Sequence, residues 1–181
     1  MNNIQKLKQQ YKETMRKLDD LRQSKRKLIQ QKRGFNIDQA TFEKEYFEIV
    51  VSEKKLLTEI YNIDLKIKVE ELKQLFEQNK FATAFWRMPS HVLPSTIPRG
   101  RPFILKQKVK APCGHEIDLI RYALELEEPH RSLYLDRYWR AFNEPRYETY
   151  GTEELLVICP KCQQRHILVF ELRPLPEKTE Q

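Results

Sequence analysis

All three cysteines of this chain, with two of its four histidines, fall in two short stretches. One reads Ala111-Pro112-Cys113-Gly114-His115. The other reads Cys159-Pro160-Lys161-Cys162, with His166 four residues on. Thiolate and imidazole are the donors that Zn2+ takes in a tetrahedral site, and a Cys-x-x-Cys turn offers two of them side by side. A second turn must bring the rest. Cys113 is the third ligand, and the fourth is His115 or His166. A redox role for Cys159 and Cys162 would want the first thiolate at a helix start after a strand. Residues 165–172 instead read Arg-His-Ile-Leu-Val-Phe-Glu-Leu, an apolar run without helical period. The expected cofactor is therefore one structural Zn2+ in a closed site, since a catalytic zinc keeps a position open for water.

Two ligand-bearing turns facing each other across one metal resemble a zinc ribbon. The resemblance covers about the last 80 residues and departs from the usual pattern at Ala111, where a Cys-x-Cys-Gly turn has its first thiolate. A second resemblance is shorter. Pro98-Arg99-Gly100-Arg101-Pro102 is similar to the core of the AT-hook, which implies DNA binding in the minor groove. The physics agrees with that implication. Prolines hold the chain extended, Gly100 leaves room at the groove floor, and Arg99 and Arg101 run along a narrow, strongly negative A·T groove. Phe103 to Lys110 follows, where period-2 alternation puts Lys106, Lys108 and Lys110 on one strand face. Arg-Gly-Arg between prolines also suits an arm threaded into RNA or laid on a neighbouring protein.

The charge balance points the same way. The net charge is +7. Residues 1–33 hold 11 basic and 3 acidic groups, and residues 81–112 hold 6 basic and none acidic. Residues 34–80 and 113–181 are acidic on balance, at −3 and −4. Such local excess is how polyanion sites are built. Lys25, Arg26 and Lys27 form a second candidate for phosphate contact. Expected partners are nucleic acid, DNA before RNA, and other protein subunits.

The elements that position these groups read as α+β. Residues 1–80 form an antiparallel coiled-coil helical hairpin. Ile4, Leu7, Tyr11, Thr14, Leu18, Leu21, Lys25 and Leu28 repeat at alternating spacings of three and four. Gly34 ends that helix in the left-handed conformation. Asp38 caps the next, whose seam runs Phe42, Tyr46, Ile49, Glu53, Leu56, Ile60, Ile63 and Ile67. Near Val69, Leu72 and Phe76 the seam outruns its partner, which makes these three the expected docking residues. They meet another protein or the zinc module of the same chain. The bland reading of the hairpin is a rigid spacer.

Residues 81–112 form a basic, Pro-rich extended arm that ends in the first strand of the zinc module. Residues 113–173 are that module, with a helix over 117–128, another from Pro129 to about Phe142, and a closing strand pair. Residues 174–181 are a disordered tail.

Enzyme chemistry has little material here. The zinc-deaminase pattern needs His-x-Glu and Pro-Cys-x-x-Cys, whereas Glu116 directly follows His115 and Pro160 lies inside the Cys pair. Four glycines leave no P-loop or dinucleotide loop. The chain reads as a non-enzyme in an intracellular, reducing compartment, without a membrane span.

Overall fold

A computed structural model describes residues 3–80, 82–87, 100–143 and 151–172. Its contacts divide the chain into two units, Met1–Glu70 and Glu71–Gln181. The division falls ten residues before the expected boundary at 80.

The first unit holds helix α1 (Asn3–Arg33) and most of helix α2 (Gln39–Gln78). The predicted seams are the ones that pack: Ile4, Thr14, Leu18 and Leu28 of α1 are buried, as is Ile63 of α2. Polar pairs interrupt the seam. Lys25 Nζ reaches Glu53 Oε2 at 2.7 Å, and Thr14 Oγ1 donates to Glu59 at 3.5 Å. Glu53 is held below the usual carboxylate range by the Lys25 ammonium, with Arg22 adding to the effect. Lys25 is thus committed to the seam and is not a free phosphate ligand. Arg26 and Lys27 remain exposed. Asp38 caps α2 as expected, accepting from Thr41 N at 2.9 Å.

The turn differs from expectation in one residue. Phe35, not Gly34, takes the left-handed position, at φ 57°. Phe35 N donates to Lys32 O and Asn36 N to Gln31 O, a Schellman closure with its left-handed residue one place later. Gly34 N still completes a helical bond to Gln30 O.

The second unit is built on a four-stranded antiparallel sheet in the order β2-β1-β6-β5 and a two-stranded ribbon, β3-β4. The strands are β1 (Thr83–Arg87), β2 (Phe103–Ile104), β3 (Lys108–Lys110), β4 (Glu116–Asp118), β5 (Gly151–Ile158) and β6 (Arg165–Leu172). Helices α3 (Leu119–Glu125) and α4 (His130–Asn143) lie between β4 and β5 in the chain. The expected helix over 117–128 begins later, because Ile117 pairs with Val109 in the ribbon.

The arm differs from expectation in two places. Its opening residues are β1, an inner strand buried at Ala84, Phe85 and Trp86. The expected strand over 103–110 is broken at buried Leu105 into β2 and β3, which belong to different sheets. Leu105 N donates to Ala82 O, and the Asn79 amide donates to Leu105 O at 2.7 Å, so the chain bends there.

β6 is covered on both faces, as its continuous apolar run requires. Leu168, Val169 and Phe170 are all buried. Phe170 meets Tyr138 of α4 edge-on at 5.9 Å between ring centroids, and Tyr138 meets Phe76 at 6.0 Å. The last two turns of α2 therefore belong to this core, which is why the unit boundary falls before Leu72.

Candidate metal centre

Each of the two cysteine stretches is a tight turn between antiparallel strands. Between β3 and β4, Ala111 N donates to His115 O and Gly114 N to Ala111 O, both at 2.8 Å. Gly114 sits at φ 86°, a conformation that side chains disfavour, and this explains the glycine between Cys113 and His115. Between β5 and β6, Cys159 N donates to Gln164 O at 2.9 Å and Gln163 N to Cys159 O at 2.8 Å. Gln163 takes the left-handed position there, at φ 59°. The two turns thus share a plan, with a left-handed residue turning the chain back into a strand.

Their side chains converge. Donor atoms of Cys113, His115, Cys159 and Cys162 all lie within 4.8 Å of one another. His115 Nδ1 is 3.7 Å from Cys113 Sγ and 3.5 Å from Cys159 Sγ. Four such donors can hold a metal ion, and three sulfurs with one imidazole is a soft set. The electrostatics fit a cation as well. Burial works to raise the Cys159 thiol pKa, but backbone N–H groups of Cys162 and Lys161 donate to it and hold it at about 6. The Gln164 N–H pulls the Cys162 thiol down, but burial and then the neighbouring Cys159 and Cys113 sulfurs raise it on balance. One thiolate is welcome without help, whereas adjacent thiolates need positive charge among them.

His166 is not in this group. Strand alternation turns it into the sheet core opposite Val157, where it is 2% exposed and its ring meets Trp86 at a centroid distance of 5.7 Å. Neither ring nitrogen has a hydrogen-bond partner, and burial lowers its pKa. His115 is the fourth donor of the cluster.

Trp86 ties the turn to the sheet, since its indole Nε1 donates to Lys110 O at 3.0 Å, next to Ala111. No spacing rule in the sequence pointed to Trp86, because the link runs between separate sheets. Nor did one point to Gln163, whose residue type does not favour a left-handed conformation. Beside the second turn lies a groove in which Lys108, Arg121 and Lys161 are balanced by Glu116, Asp118 and Glu125.

The nucleic-acid candidates are distributed unevenly. Arg99 lies outside the described residues. Arg101, Lys106, Lys108 and Lys110 are exposed. Lys106 Nζ donates to Asn79 O at 2.8 Å, and Lys108 faces Glu116 at 3.8 Å with both ends solvated. Gly100 has a packing role: its N–H donates to Trp86 O at 3.2 Å, and a Cβ there would lie 2.7 Å from that oxygen. The open face expected to meet a groove floor is occupied by β1. Of the docking candidates, Leu72 and Phe76 are 0% and 1% exposed inside the second unit, and Val69 is half-buried. Leu72 and Phe76 are core residues, the second of the two fates their position allowed.

No described helix is long and apolar enough to cross a membrane. Comparison with protein-family models, with curated proteins and with solved structures returns no match.

Proposed function

We propose a non-enzymatic, zinc-stabilised protein that binds nucleic acid and serves in an assembly. Cys113, His115, Cys159 and Cys162 hold one structural Zn2+ in a zinc-ribbon-like arrangement that pins the β3–β4 ribbon to the end of the β5–β6 pair. The observation that carries the nucleic-acid reading is the run of exposed cations, Arg101, Lys106, Lys108 and Lys110, that leads into the first metal turn. A metal-pinned ribbon presents Lys108 and Lys110 of that run at fixed spacing, and fixed cations cost less entropy when they meet phosphates. Duplex DNA is the first ligand to test, with phosphate contact as the main term. Gly100 packed on Trp86 supports phosphate contact better than insertion at a groove floor.

The second reading is a structural subunit of a larger complex, such as a ribonucleoprotein, with the arm laid into the assembly. The close fit of Gly100 on Trp86 and the internal partner of Lys106 favour it. Titration of short A·T and G·C duplexes and single-stranded RNA across a salt series separates the two. Nucleic-acid binding predicts a linear fall of log affinity with log salt, about 0.9 in slope per phosphate neutralised on DNA. Arg101→Ala with Lys110→Ala lowers that slope by roughly two. An A·T preference that vanishes with Arg99→Ala and Arg101→Ala restores groove insertion. Absence of salt-dependent binding gives the second reading.

A further inference from the structure

α2 carries a second apolar line beside its seam. Phe47, Val50, Leu57 and Tyr61 are 67%, 38%, 46% and 40% exposed. With Lys54 they repeat at spacings of three, four, three and four, each one residue after a seam position. The other side of the hairpin is lined by residues one before the seam on both helices, among them Gln10, Lys17, Lys55 and Glu59. Residues one after the seam therefore share the opposite side, where the Arg22–Glu53 contact at 3.5 Å joins α1 to α2. On α1 these positions include Lys12, Met15, Arg22, Arg26 and Ile29.

We infer that this side of the hairpin docks an acidic amphipathic helix from a partner protein. Spacing at three and four is what a helix laid alongside reads, and Phe47 to Tyr61 spans about 21 Å, or four turns. Charge selects the occupant. The positions one after the seam hold six cations against three carboxylates, Asp19, Glu43 and Asp64, and with Glu53 of the seam matched to Arg22 the side keeps a positive excess of two. A second copy in a twofold pairing would set that excess against itself, whereas a helix with Glu beside its apolar stripe complements it. The inference rests on the assembly half of the proposed function, and the nucleic-acid titration reads independently of it.

The test uses the full chain and three labelled synthetic helices. One has Leu at its a and d positions and Glu at e and g, one replaces Glu by Lys, and one replaces Leu by Ser. The Leu/Glu helix should bind saturably and the other two at least tenfold more weakly. Phe47→Ser with Leu57→Ser should weaken it at least tenfold while far-UV dichroism stays unchanged, both side chains being solvated. Arg26→Glu with Lys54→Glu should transfer preference to the Leu/Lys helix. Equal binding of the three peptides, or indifference to the Ser pair, overturns the inference. So does a dimer in sedimentation that the Ser pair dissociates, which would place a second copy on this side.

Discussion

Withdrawing metal should melt one half of this protein and spare the other. The β3–β4 ribbon is joined by three residue pairs, Lys108–Asp118, Val109–Ile117 and Lys110–Glu116, and a two-stranded ribbon that short is marginal alone. Its turn owes its place to the Trp86–Lys110 hydrogen bond and to the four metal donors. A ligand bound only by the folded state stabilises by mass action. Free Zn2+ at a thousand times Kd adds about 4 kcal/mol. A unit of this size moves by roughly 4 °C per kcal/mol, so chelation should lower its midpoint by about 15 °C. The readouts separate cleanly. Both tryptophans, Trp86 and Trp139, lie in the second unit, so their fluorescence follows that unit alone. The far-UV signal is dominated by the 31 and 40 residues of α1 and α2. Chelator should bring the tryptophan transition down and leave most of the helical signal in place. Cobalt substitution should give the visible bands of a tetrahedral thiolate site, and His166→Leu should keep the metal whereas Cys159→Ala should lose it. Less than half an equivalent of zinc per chain refutes the reasoning, as does a tryptophan transition that ignores zinc bound at full stoichiometry.

Three further outcomes follow from single residues. His166 has its folded pKa below the ordinary 6.5 because burial disfavours the imidazolium, so the stability tied to its neutral form is complete above about pH 6.5 and is lost as pH falls. Relative to wild type, His166→Leu should gain stability on acidification; parallel pH profiles would count against it. Gly100→Ala should destabilise the second unit by about 1–3 kcal/mol, because backbone oxygen of an inner strand stands where the Cβ must go. An unchanged tryptophan midpoint would deny that packing role. Phe35→Gly should stabilise the hairpin by about 0.5–1 kcal/mol, since Phe35 is 93% exposed and pays a left-handed penalty that glycine avoids. A loss of helical stability would mean that the ring has a packing partner.

The hairpin was legible because its information is local. Heptad spacing, the Asp38 cap and the short turn each act within a few residues, and the seam from Ile4 to Ile67 packs as it reads. The Cys/His cluster was legible because thiolates at such spacing have few other uses. The choice between His115 and His166 was not, because it depends on strand phase. Arg165 begins β6, alternation turns His166 inward, and nothing in the residues between Cys162 and His166 says where pairing starts. The arm was not legible for a related reason. Its prolines report where helix fails, but whether 83–87 joins a sheet depends on β6, more than eighty residues further on. Gly100 shows the same limit, since one glycine serves a groove floor and a strand backbone equally well until the neighbouring strand is known.

The polar breaks in the hairpin seam belong to the same logic as the exposed line beside it. A seam of aliphatic residues alone would tolerate slippage by a heptad, because each register buries similar area. Lys25 opposite Glu53 makes every other register strand a polar group against an apolar one. They add little stability, for the Lys25–Glu53 pair is solvated at its edges and screened. What they add is phase. Phase decides which α1 cations flank Phe47, Val50, Leu57 and Tyr61, so a docking surface built jointly from two helices needs a fixed register more than a tight seam. Replacing Lys25 and Glu53 together by Leu should therefore raise the helical midpoint while weakening the Leu/Glu helix, a separation that purely stabilising packing would not produce. If midpoint and affinity rise together, register is held by the turn alone and the polar pairs have another purpose.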